Sequence, residues 1–177
     1  MNPRDRLGNH YLVNFIEHRS NYCRVFLAKT KDVAALKFKH FLVQFEREFN
    51  CKIYCLRTDG GEEYKNSDVF CKATGVLRQV SETRNQSSNG KAERMHRTIM
   101  NMVRIMVFAS NLPLTFWDDA AEYATYILNR SRTKSNPGGI SPMEFLTKKV
   151  PKSTDTITFN STCTICADAW RARKGGY

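Results

Sequence analysis

Lys52-Ile-Tyr-Cys-Leu-Arg-Thr58 runs straight into Asp59-Gly60-Gly61. The first seven residues are rich in apolar and aromatic side chains and read as a strand, which the Asp-Gly-Gly turn closes. Asp59 therefore stands at the carboxyl end of a strand. Open α/β sheets place ligands at that edge, and glycine lets a ligand approach the backbone.

Upstream, apolar residues recur at Val33, Leu36, Phe38, Phe41, Leu42, Phe45 and Phe49. This spacing predicts a helix over 32–49, with Asp32 as its cap. Further upstream, Tyr11–Ile16 and Tyr22–Ala28 flank the polar stretch Glu17–Asn21, a predicted β-hairpin. Residues 1–9, with Pro3 and Gly8, read as a tail. Downstream, a short helix over Ser67–Thr74 is stopped by Gly75, and Val76–Val80 is a short strand. Glu82–Gly90 is polar and reads as a loop. Helices are predicted over 91–110, 115–130 and 142–148, with Asn111-Leu-Pro113 and the basic loop Ser131–Ser141 between them. Ile157–Phe159 and Thr162–Cys166 read as strands of a following segment. The order predicts an α/β fold, a mixed sheet flanked by helices.

The chain has 177 residues, enough for one domain with a sizeable core. Its formal net charge is +11, from 28 Lys+Arg against 17 Asp+Glu. The excess is spread over Arg4/Arg6, Lys29/Lys31, Lys37/Lys39, Arg94/Arg97 and Arg171/Arg173/Lys174, and such a surface suits a polyanion. No secretory signal is evident and no apolar run reaches the length of a membrane span. The six cysteines read as reduced, buried thiols of an intracellular protein. Cys163-Thr-Ile-Cys166 has zinc-knuckle spacing, but its only conceivable complement, Cys51 and Cys55, falls in or beside the predicted strand.

Two acids occupy chemically useful places. Asp59 ends a strand, and Glu93 begins the long helix predicted from Lys91. Each alone is explained as well by a turn or by the helix dipole. Their surroundings add more. Leu56-Arg-Thr-Asp-Gly-Gly-Glu-Glu-Tyr64 is followed by Asn89-Gly-Lys-Ala-Glu-Arg-Met-His-Arg-Thr98, then by Leu112-Pro-Leu-Thr-Phe-Trp117 and Tyr126-Ile-Leu-Asn-Arg130. From about Asn9 to Pro151 this series resembles the integrase catalytic core of copia-type retrotransposons, within the retroviral integrase superfamily.

The resemblance implies an RNase H-like fold and an Asp, Asp, Glu site using two Mg²⁺ or Mn²⁺ ions for DNA processing and strand transfer. Carboxylates suit that role because hard cations prefer oxygen ligands. By motif, Asp59 is the second acid and Glu93 the third, both catalytic and metal-binding, and the two are expected to lie close together. They are separated by 33 residues, slightly fewer than the family's usual spacing, and the shortage falls between Tyr64 and Phe70. Asn89, Lys91, Arg94, His96 and Arg97 are the implied nucleic-acid contacts. His96 and Arg97 share the helix face of Glu93, while Met95, Ile99, Met102 and Met106 are expected to form its buried stripe.

In the family the first acid lies on a central strand, in a motif like HTDxxGP, upstream of the residues matching Met1-Asn-Pro-Arg4. The sequence begins after it, so the sheet is expected to miss its first, central strand and the chain to be catalytically silent. Glu17 and Asp5 are the candidate substitutes. The domain is expected to span 1–151, with 152–177 opening the next polyprotein segment. DNA is the implied partner, with a homo-oligomer, a nuclear location for an active enzyme and no membrane. The alternative function is a non-catalytic basic nucleic-acid-binding remnant.

Overall fold

A computed structural model describes residues 4–30, 33–58, 67–80 and 86–162. Strands β1 (Tyr11–Ile16) and β2 (Cys23–Ala28) form an antiparallel hairpin, Tyr11 opposite Ala28 and Ile16 opposite Cys23. The Glu17 amide donates to the Tyr22 carbonyl at 2.8 Å, and Asn21 turns the corner with φ 62°. Helix α1 (Ala34–Phe49) ends on left-handed Asn50; the cap expected from Asp32 lies outside the described residues. Strand β3 (Cys55–Thr58), helix α2 (Ser67–Thr74) and strand β4 (Leu77–Val80) follow, with β3 and β4 paired in parallel. Gly75, at φ +73°, stops α2 as its position suggests. Helices α3 (Gln86–Ala109), α4 (Trp117–Arg130) and α5 (Pro142–Thr147) complete the order. Ser141 caps α5 by accepting from the Glu144 amide at 3.1 Å.

The hairpin is sandwiched between two cores, as strand alternation requires. Phe15 faces Phe38, Phe41 and Phe45 of α1, together with Tyr22 and Leu56. Val25 faces the other way, against Ile99, Val103 and Val107 of α3 and Trp117, Ala120, Ala121 and Ala124 of α4. The alanines are fully buried, so α3 and α4 approach closely.

Four expectations are corrected. The polar stretch before Lys91 is not all loop: α3 already begins at Gln86, so Glu93 sits two turns inside the helix. Extension costs little once a downstream stripe anchors a helix, because each added residue gains a hydrogen bond. That stripe is Ile99, Val103 and Val107, while Met95, Met102 and Met106 are only partly buried beside it. Residues 52–54 lie outside the β3 ladder. Finally, Ile157–Phe159 forms no strand. Its backbone is held on α4 by the Tyr123 hydroxyl at Ile157, while Tyr126 reaches Asp155; the Cys163–Cys166 part lies outside the described residues.

The sheet itself is divided. Among the described residues β1 pairs only with β2 and β3 only with β4, giving two two-stranded sheets, one antiparallel and one parallel. A cleft of about 1050 Å³ separates β1 from β3. The phase of each ladder shows which backbone groups face it. Glu17 and Phe15 bond toward β2, so Asn14 and Ile16 point into the cleft. Leu77 donates to the Tyr54 carbonyl at 2.8 Å, so Leu56 and Thr58 bond toward β4 while Cys55 and Arg57 point into the cleft. Open edges with unpaired backbone groups are costly. Extending the N-terminus with an apolar, β-branched strand is therefore expected to raise Tm, and a proline-interrupted extension is not. Thermal melts followed by circular dichroism measure the difference; equal melting of all three chains would contradict an open slot.

Candidate active-site cleft

The floor of the cleft is the aromatic core, Phe15, Phe38, Phe41 and Phe45 with Leu56. One wall is α3, which turns Lys91, Glu93, His96, Arg97, Met100 and Arg104 toward it. From Glu93 to Arg104 these positions recur at helical spacing, so a single face carries them; Lys91 lies on another side of the helix and reaches the cleft rim beside the hairpin turn. Thr58, the last residue of β3, lines the cleft from the opposite side and is 5% exposed. Asp59, next in sequence, is outside the described residues, so its separation from Glu93 is not part of this geometry.

Glu93 is exposed and its carboxylate forms no hydrogen bond or ion pair with a described residue. His96 is half-buried and Arg97 exposed, both on the cleft face. Arg94 is exposed and does not line the cleft. Asn89 belongs to α3, and its side chain is outside the described residues.

Lys91 has a specific local task. Its ammonium donates to the His18 carbonyl in the hairpin turn, close to the Glu17 carboxylate. Burial pushes the Lys91 ammonium down from its ordinary range; Glu17 pulls it back up and Arg94 adds to the lowering. The Asn14 carboxamide donates to the Ala92 carbonyl at 3.4 Å. These two ties hold the Glu93 turn of α3 against the hairpin.

Neither substitute acid is free. Glu17 accepts from the Arg19 amide at 2.9 Å, the Ser20 amide at 2.7 Å and the Ser20 hydroxyl at 2.5 Å. Asp5 is buried away from the cleft, accepting from the Leu7 amide at 2.9 Å and the Asn9 amide at 2.6 Å. Among the described residues no group of three His, Cys, Asp or Glu is placed to hold a metal ion. Cys51 and Cys55 are exposed rather than buried, whereas Cys23 and Cys71 are buried as expected.

No protein-family model matches the chain. Over 126 residues, 70% of the chain, it is 38% identical to the retrovirus-related Pol polyprotein from transposon TNT 1-94 of Nicotiana tabacum. The chain is a homologue of a retrotransposon Pol polyprotein. It spans 10% of that relative's length. Its fold is that of the retroviral integrase catalytic core, RNase H-like. The HTLV-2 integrase catalytic core domain in complex with magnesium superimposes with TM-score 0.58 at 20% identity, covering 76% of this chain and 83% of that one. The BIV integrase core superimposes with TM-score 0.57 at 19% identity, covering 77% and 85%. A simian T-cell lymphotropic virus intasome chain superimposes with TM-score 0.62 at 16% identity, covering 83% and 53%.

Within this integrase-like core, Asn129 of the Tyr126–Arg130 motif has a structural task that the sequence reading missed. Its carboxamide accepts from the Cys23 amide at 2.9 Å and donates to the Cys23 carbonyl at 2.7 Å, tying α4 to β2. Burial pushes the adjoining Cys23 thiol up to about 12. Asn136 donates to the Ser20 carbonyl at 2.9 Å and so supports the same turn that holds Glu17. The available signal was an asparagine one turn from Thr125 and two from Ala121, on the face of α4 that is buried.

Two outcomes follow. Asn129→Ala leaves a buried amide and carbonyl unpaired, which should cost about 1–3 kcal/mol in urea unfolding; a loss too small to measure would show the pairing to be incidental. For Glu17, burial pushes the carboxyl up, but the Ser20 hydroxyl, the Arg19 and Ser20 amides and Lys91 together hold it below its usual value of 4.5. The resulting stability is present above that value and lost as pH falls through the lowered one. Glu17→Gln should thus destabilise at neutral pH, with the gap to wild type closing in acid; a pH-independent gap would sink the linkage.

Proposed function

We propose that this chain is the acid-bearing part of a metal-dependent polynucleotidyl transferase, an integrase core that grips DNA across the α3 wall of the cleft. The observation that carries the reading is the meeting at one cleft of Thr58, the residue before Asp59, with Glu93, His96 and Arg97, none of which is ion-paired with a described residue. Asp59 and Glu93 are the catalytic and metal-binding acids in this reading. Their oxygens fit Mg²⁺ or Mn²⁺ in type. A bound ion pair supplies Lewis acidity for an attacking hydroxyl and a leaving oxygen. Two carboxylates are fewer than the three such a pair needs, and Glu17 and Asp5 are spent elsewhere. The chain is therefore a DNA-binding core that does not transfer strands by itself.

Arg97 and His96, with Asn89 and Arg94 on neighbouring positions, are the residues that meet phosphate. Lys91 contributes less because it is tied to the hairpin turn. The complete enzyme acts as a homo-oligomer on DNA in the nucleus; the intasome with a related fold supports that assembly. No helix among the described residues is long and apolar enough to cross a membrane.

DNA affinity should be weak, largely independent of sequence and steeply salt-dependent. Arg97→Ala should lower the slope of log affinity against log salt by about one and weaken binding more than Lys91→Ala does. Fluorescence anisotropy over a salt titration measures both. Affinity that stays flat with salt, or an Arg97→Ala chain that binds like wild type, would overturn the assignment. Strand transfer should appear only when an upstream strand bearing Asp is added; transfer by the unextended chain would show that another acid completes the site.

A further inference from the structure

The hairpin has a second open edge, on the far side of β2 from the cleft. Because Tyr22, Arg24 and Phe26 bond toward β1, the backbones of Cys23, Val25 and Leu27 turn outward. The Asn129 carboxamide occupies both backbone groups of Cys23, as a neighbouring strand would. Beyond it, the outward N–H and C=O groups of Val25 and Leu27 have no hydrogen-bond partner among the described residues. They open into a groove of about 800 Å³ walled by α1 and α4. Arg24, Lys29, Lys37 and Arg130 line it, against Glu48 and Glu122. None of the four cations is ion-paired with a described residue.

We propose that this groove docks an extended acidic peptide segment, which adds a strand to β2. The edge offers alternating donors and acceptors, which another peptide backbone matches and an acceptor-only phosphate chain does not. The surplus of cations selects acidic side chains on the incoming strand. A second copy of the same edge would bring like charges together, so self-pairing is disfavoured. The site is separate from the Glu93 cleft, and the inference does not depend on the function proposed above.

A fluorescein-labelled peptide of alternating Glu and Val, titrated into the full chain, tests this. Binding should saturate and should slow amide exchange at Val25 and Leu27. The double variant Lys29→Glu/Lys37→Glu should weaken it by about tenfold or more, and a Lys–Val peptide should not compete. Three results would overturn the proposal. One is the absence of saturable binding. Another is binding indifferent to the charge reversal. The third is protection at Val25 and Leu27 produced by a single-stranded DNA oligonucleotide or by self-association instead of by the peptide.

Discussion

A strand inside a sheet needs a hydrogen-bonded neighbour on each side, and among the described residues β1 and β3 each have one. Much else in the structure depends on that shortfall. The two half-sheets are held apart by what packs on them, not by each other. Phe15, Phe38, Phe41 and Phe45 make one continuous aromatic cluster under both, with Phe15 and Phe41 stacked at 5.2 Å. Aromatic packing of this kind is strong enough to preserve the layer arrangement while the ladder between the halves is open. The cleft is thus a gap in the hydrogen-bonding pattern with an apolar floor.

The functional face inherits its position from this arrangement. Helix α3 lies along the gap, anchored on its inner face by Ile99, Val103 and Val107 and at its N-terminal half by the Lys91 and Asn14 ties. The outer face is left with groups that have no hydrogen-bond or ion-pair partner among the described residues, Glu93 and Arg97 above all. Polar side chains that a fold leaves uncommitted beside a strand end are where chemistry and ligand contact are found. Glu17 contrasts with Glu93: a carboxylate of the same type, lining the same cleft, is consumed by its own turn.

Much of this was legible in the sequence. Hairpin, α1, α2, α4 and α5 follow from periodicity and stop signals, because their apolar spacing and turn residues such as Gly75 act locally. The early start of α3 was not legible, since Gln86–Gly90 is polar by composition and helical only because a distant stripe anchors it. The division of the sheet depends on pairing between remote segments, and local patterning carries no record of that. Glu93, His96 and Arg97 were found through motif resemblance, and the structure gathers them on one face. Asn129 and Lys91 were read as motif letters or surface charge, because their tasks are defined only by the partners that the fold brings to them, Cys23 and His18.

Amide hydrogen exchange of the native chain tests the central claim, that the sheet is open between β1 and β3. Asn14, Ile16, Cys55 and Arg57 direct their amides into the cleft, while Val13, Phe15, Leu56 and Thr58 direct theirs to paired neighbours. The account predicts fast exchange for the first set and slow exchange for the second, residue alternating with residue along each strand. Equal protection of both sets would show that β1 and β3 pair directly, and the open cleft would not exist.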